Sequence, residues 1–100
     1  MIMHNPAHPG EILAEGYLKP LKISVSEAAQ KLDVSRSTIS RLCNGHISVS
    51  TEMALRLSIA FPNTEPVFWM NLQRNYDLFH VLKKMKRLAR KVQVIAPSGV

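Results

Sequence analysis

Residues 24–45 confine this chain more tightly than any other stretch. Ser24-Val25-Ser26-Glu27 has the S-x-x-E spacing of a capping box, in which a hydroxyl and a carboxylate each satisfy an unpaired N–H at a helix start. A helix is therefore expected from Val25 to near Asp33. Ser35 is a second N-cap, for a helix over residues 36–43, and Asn44-Gly45 suits its C-terminal closure. Two short helices joined at Leu32-Asp33-Val34-Ser35 have the layout of a helix-turn-helix. The joint needs particular residues, and they are present. Ala29 is small where the helices must cross closely. Asp33 tolerates a left-handed backbone better than most side chains. Val34, Ile39 and Leu42 join Ala29 in one internal surface.

With those positions turned inward, Arg36, Ser37, Thr38, Ser40 and Arg41 face outward on the second of the two helices. Arginine can bond guanine bidentately, and serine or threonine can reach base edges or a thymine methyl, so this face suits the major groove. Arg36, Ser37 and Thr38, near the helix start, point most directly at bases, followed by Ser40. Arg41 can reach base or phosphate. Ser26, Ser35 and Asn44, with backbone N–H groups at helix starts, are candidates for positioning phosphates.

No stretch alternates with the period of a strand, and the punctuation is that of an all-α chain. Pro9-Gly10-Glu11 opens a first helix carrying Ile12, Leu13 and Tyr17, which Pro20 stops. Ser50 caps a fourth, with Met53, Ala54, Leu57 and Ala60 on one side and Phe61-Pro62-Asn63-Thr64 as its breaker. Thr64 or Glu65 caps a long fifth helix, on which Phe68, Trp69, Leu72, Tyr76, Phe79 and Leu82 recur at helical spacing as far as the basic run near Lys91. One domain over residues 1–100 is expected, with its core at about 8–82. Residues 83–100 add a basic helix and a loose end at Ala96-Pro97-Ser98-Gly99-Val100.

The aromatic stripe has two readings. Trp69 and Leu72 can belong to the intramolecular core. Alternatively Phe68, Trp69, Leu72, Tyr76 and Phe79 form a two-fold interface, because one small domain does not easily cover both sides of such a helix. Dimerisation through the fifth helix is the expectation.

The net charge of +6 suits a polyanion, but it is unevenly placed. Residues 1–50 carry five Lys/Arg against four Asp/Glu, and residues 51–100 carry eight against three, with six of the eight in Lys83–Lys91. That run is either a solvated helical face or a phosphate contact. No apolar run reaches a bilayer span and no secretion signal opens the chain, so a cytoplasmic protein without membrane association is expected. The lone Cys43 agrees with a reducing compartment. His4, His8, His46 and His80 lack metal-ligand spacing, and there is no P-loop or G-x-G-x-x-G, so neither metal, cofactor nor catalysis is expected. His4 and His8 read as flexible surface.

Several blocks together resemble a known family. His8-Pro9-Gly10-Glu11-Ile12-Leu13, Ser24–Ala29, Val34–Gly45, Ile47-Ser48, Glu52–Leu57, Phe68–Gln73 and Tyr76-Asp77-Leu78 are similar to the HigA antitoxins, also called virulence-associated protein I. These are helix-turn-helix repressors of the xenobiotic-response-element group, so the resemblance implies a five-helix lambda-repressor-like domain with a long C-terminal helix. It further implies a homodimer on palindromic double-stranded operator DNA, repression of its own operon, and neutralisation of a HigB-like toxin, a RelE-like mRNA endonuclease. A solitary regulator without a toxin and a protein-only toxin-binding module remain as alternatives. Asp33 departs from the family by standing where such turns usually carry glycine. The basic run also departs, and beside a usually basic toxin it favours DNA or no partner.

Overall fold

A computed structural model describes residues 5–96. Among them every regular element is helical, in the order expected. Helix α1 (Pro9–Leu13) continues as a π-helical turn over Ala14–Leu18, then α2 (Val25–Leu32), α3 (Arg36–Cys43), α4 (Thr51–Ala60) and α5 (Pro66–Val81) follow. A 3-10 turn (Leu82–Lys84) and α6 (Met85–Lys91) prolong α5, so the last helical stretch covers 66–91. Residues 97–100, the end of the expected loose tail, lie outside the described residues.

The caps explain the boundaries. Ser24 Oγ accepts from Glu27 N, Ser35 Oγ from Thr38 N and Ser50 Oγ from Met53 N, each at 3.1 Å. At the other ends, three turns close with a residue in the left-handed region. These are Lys22 (φ 57°), Asp33 (φ 57°) and Gly45 (φ 75°). In each, the next residue's N–H reaches back five positions: Ile23 to Leu18 O, Val34 to Ala29 O and His46 to Arg41 O. Only the third of these positions is occupied by the glycine that the conformation favours.

The core gathers Leu13, Leu18, Ala28, Ala29, Leu32, Ile39, Leu42, Val49, Met53, Ala54, Leu57 and Trp69. Trp69 is fully buried, with Tyr17 and Phe68 rings 5.2 and 5.1 Å from its own. Its indole Nε1 donates to Thr64 Oγ1 at 2.9 Å, so the polar edge of the ring is satisfied. Thr64 is therefore an acceptor for Trp69, and Glu65 holds the N-cap position of α5 without a side-chain bond.

This placement corrects one expectation. Trp69 is enclosed by its own protomer and offers no surface to a second copy. Leu72, Tyr76 and Phe79 are half-buried, and Phe68 is exposed. The opposite side of α5 and α6 carries Val67, Leu78, Val81, Met85, Leu88 and Val92, all exposed. The last five of these fall at alternating intervals of three and four residues. Helical periodicity identifies a stripe but not which side meets the core, and the aromatic side met it.

The long axis measures 53 Å against 23 Å for the other two, and the radius of gyration is 17.1 Å, where a compact chain of this length has about 13 Å. The excess is α6, which projects from the core with every residue from 81 to 96 exposed. Among the described residues, no helix is long and apolar enough to cross a membrane.

Candidate nucleic-acid interface

Helix α3 buries Ile39 and Leu42 completely and leaves the predicted face outward. Arg36, Ser37 and Arg41 are exposed, while Thr38 and Ser40 are half-exposed. The five candidate readout residues therefore share one accessible surface. Among the described residues the ion pairs are Lys19–Glu15 and Arg56–Glu52, so neither Arg36 nor Arg41 is neutralised by a carboxylate.

The three candidate phosphate residues are also exposed, but each already has an internal partner. Ser26 Oγ accepts from Arg36 Nε at 2.9 Å, across the starts of α2 and α3. Ser35 Oγ accepts from Thr38 N and lies 2.7 Å from Thr38 Oγ1. Asn44 Nδ2 donates to Ser40 O at 2.9 Å. The Thr38 hydroxyl is thus engaged in the helix cap, which leaves its methyl as the free end.

Two contacts hold this face in place, and sequence reasoning missed both. Arg56 of α4 donates from Nη1 to Leu32 O (2.8 Å) and Asp33 O (3.2 Å), satisfying carbonyls at the end of α2. Its Nε and Nη2 are gripped by Glu52 Oε2 at 3.2 and 3.1 Å. The Glu52–Arg56 spacing was visible as an i,i+4 pair, but nothing in the sequence marks its second partner. The other contact is at Gly10. A Cβ there would stand 2.5 Å from the Leu42 carbonyl carbon and 3.1 Å from Cys43 Cα, so α1 presses its backbone directly on the end of α3.

His8 corrects a further expectation. It is not flexible surface, because its Nδ1 accepts from Gly10 N at 2.9 Å as the N-cap of α1. Its ring also stands edge-on to Tyr76, 4.8 Å between centres. Burial lowers its pKa below the ordinary 6.5, against the opposing pull of Asp77, a backbone bond at Ile47, and Glu11. His4 lies outside the described residues. Gln73 is a buried polar tie, accepting from Val49 N (2.8 Å) and donating to Asp77 Oδ1 (2.9 Å), so it joins the segment after α3 to α5. Burial raises the Cys43 thiol, which keeps it protonated and unreactive.

A tight two-helix joint, an outward polar and cationic α3 and braces behind it define a helix-turn-helix protein of the DNA-binding class. The Helix-turn-helix family model matches residues 17–69. Virulence-associated protein A' of Dichelobacter nodosus is 44% identical over 98% of this chain and 83% of its own length. Among solved structures, the Pseudomonas aeruginosa antitoxin HigA with the higBA promoter superposes at TM-score 0.82 and 34% identity, covering 91% of this chain and 99% of the other. Antitoxin GraA in complex with its operator gives 0.85 and 35%, covering 97% and 98%. The chain belongs to the helix-turn-helix family of DNA-binding regulators, with HigA antitoxins among its relatives, and that family is not one of enzymes.

Proposed function

We propose that this chain is the antitoxin of a HigBA-type pair, acting in the cytoplasm as an autorepressor. Two copies bind a palindromic operator, and the same protein neutralises a HigB-like, RelE-like mRNA endonuclease. The observation that carries the DNA reading is that Arg36 and Arg41 have no carboxylate partner among the described residues and stand on the exposed face of a helix braced from behind by Arg56 and Gly10. Arg36, Ser37, Thr38 and Ser40 read bases, Arg41 reaches base or phosphate, and Ser35 and Asn44 position the backbone. Similarity to chains solved with a promoter or an operator supports the same assignment.

The second copy covers the exposed side of α5 and α6. Leu78, Val81, Met85, Leu88 and Val92 have the three–four spacing of a helix seam, and Leu78 and Val81 also line an open groove of about 570 Å³ against Ser48 and Val49. Two-fold pairing there presents two α3 helices to one duplex, as an inverted repeat with half-sites roughly 34 Å apart requires.

Selection from a random duplex library tests the reading. The expected product is an inverted repeat of that spacing, bound by a dimer in sedimentation. Arg36→Ala should weaken specific binding by about 1–3 kcal/mol. Enrichment of no sequence, or a monomer on the selected DNA, refutes it. The toxin arm is tested by co-expressing the neighbouring open reading frame. Growth arrest relieved by this chain supports the antitoxin, and its absence leaves a solitary regulator.

A further inference from the structure

We propose that Ser26 is a specificity-determining positioning residue that aims Arg36 at a guanine, rather than a phosphate contact in its own right. The inference rests on the readout role given to Arg36 above.

The observation is the bond from Arg36 Nε to Ser26 Oγ, 2.9 Å long and spanning ten residues of sequence. Ser26 is not needed by its own helix start, since Ser24 already caps α2 through Glu27 N. Its hydroxyl is used across the joint, tying the first turn of α2 to the first residue of α3. The partner is neutral, so the guanidinium keeps its full charge. An aspartate or glutamate there would neutralise it.

The choice of nitrogen matters. With Nε engaged, the two terminal Nη nitrogens are left without an internal partner among the described residues. A pair of parallel N–H donors matches guanine O6 and N7. Arginine carries much rotamer entropy, and a side chain restrained before binding loses less of it on contact. Restraint improves the match to one base over the others, whereas a loose arginine finds phosphates and bases alike. Ser26 therefore acts on discrimination more than on total affinity.

The test selects bound sequences from a random duplex library with wild type, Ser26→Ala, Ser26→Thr and Arg36→Ala, and then measures affinity for the winning duplex across a salt series. Ser26→Ala is expected to keep the half-site but weaken the guanine preference at one position by about two- to tenfold, the range of one hydrogen bond. Ser26→Thr, which retains the hydroxyl, should restore it. Arg36→Ala should abolish the preference at that position, with Ser26→Ala adding nothing further on top. Thermal midpoints of the Ser26 variants should stay near wild type, separating aiming from folding. Preference lost in Arg36→Ala but kept in Ser26→Ala overturns this inference alone. A salt slope lower by about one in Ser26→Ala, with discrimination unchanged, shows a phosphate contact and also overturns it. Guanine preference retained in Arg36→Ala overturns the readout role of Arg36, and the inference with it.

Discussion

Gly10→Ala tests whether the recognition helix is seated by backbone contact with α1. Two opposing effects decide the sign. Alanine favours a helix over glycine by about 0.5–1 kcal/mol, so an unobstructed substitution stabilises. At Gly10, however, the new Cβ would stand 2.5 Å from the Leu42 carbonyl carbon and closer still to its oxygen, where about 3.3 Å is the near limit for carbon against a carbonyl oxygen. Both obstructing atoms are backbone, so no side chain can rotate away, and α1 must shift off the end of α3. Overpacking of this kind costs about 1–3 kcal/mol and more where the backbone itself is the obstacle. With backbone as the obstacle the upper end of about 3 kcal/mol applies, and subtracting the propensity gain leaves a net loss of about 2 kcal/mol, or roughly 8–16 °C in melting midpoint for a domain of this size. Gly16→Ala is the internal control. Its nearest neighbour would be Ile12 Cγ2 at 4.0 Å, so only the propensity gain of about 0.5–1 kcal/mol is expected. Thermal unfolding followed by circular dichroism reads both variants. A Gly10→Ala midpoint within about 4 °C of wild type would refute the contact as drawn.

Other parts of the scaffold give further tests. Asp33→Gly should stabilise by about 0.5–1 kcal/mol, because φ 57° and ψ 47° cost a side chain and not a glycine; a lower urea midpoint would show that the carboxylate matters. Arg56→Met keeps the aliphatic stem but loses the bonds to Leu32 O and Asp33 O, and is expected to cost about 1–2 kcal/mol while weakening operator binding at unchanged salt slope. A slope shallower by about one would instead make Arg56 a phosphate contact. His8 sets a pH dependence whose sign follows from its lowered pKa. The folded state prefers the neutral ring, so this contribution is complete above about 6.5 and is lost as pH falls below that value. His8→Asn can still accept from Gly10 N but does not titrate, so its midpoint should fall less between pH 7.5 and 5.5 than that of wild type. Parallel curves would remove His8 from the account.

Most of the fold was legible because caps, turns and apolar spacing act over a few residues. Ser24, Ser35 and Ser50 each accept the bond their position predicts, and Asp33 and Gly45 both take the left-handed backbone assigned to such closures. Lys22 closes its turn in the same way, yet nothing about lysine signals it. The outward face of α3 was legible for a related reason. Fixing Ile39 and Leu42 inward determines which side chains remain on an eight-residue helix. Contacts between distant segments were not legible. Arg56 meets the α2 carbonyls 23 and 24 residues away, and Gln73 meets Val49 N across 24, so neither leaves a local pattern. Trp69 shows the same limit, since the amphipathic period of α5 fitted a core and an interface equally and only the packed structure puts this ring in the core.

The position of the basic residues bears on what α6 needs in order to be a helix at all. Lys83, Lys84, Lys86, Arg87, Arg90 and Lys91 repeatedly fall three and four residues apart, where like charges oppose helix formation. None of its residues is buried by the domain, so tertiary packing supplies little of the stabilisation that short helices usually require. Two kinds of partner relieve this opposition. Apolar cover over Met85, Leu88 and Val92 rewards the helical register, and a polyanion neutralises the cations. A second copy offers the first and a duplex the second. Assembly and DNA binding would then both favour the same helical extension, so charge beyond the two arginines of α3 need not come from a disordered tail. It would come from a segment whose order depends on the partners it serves.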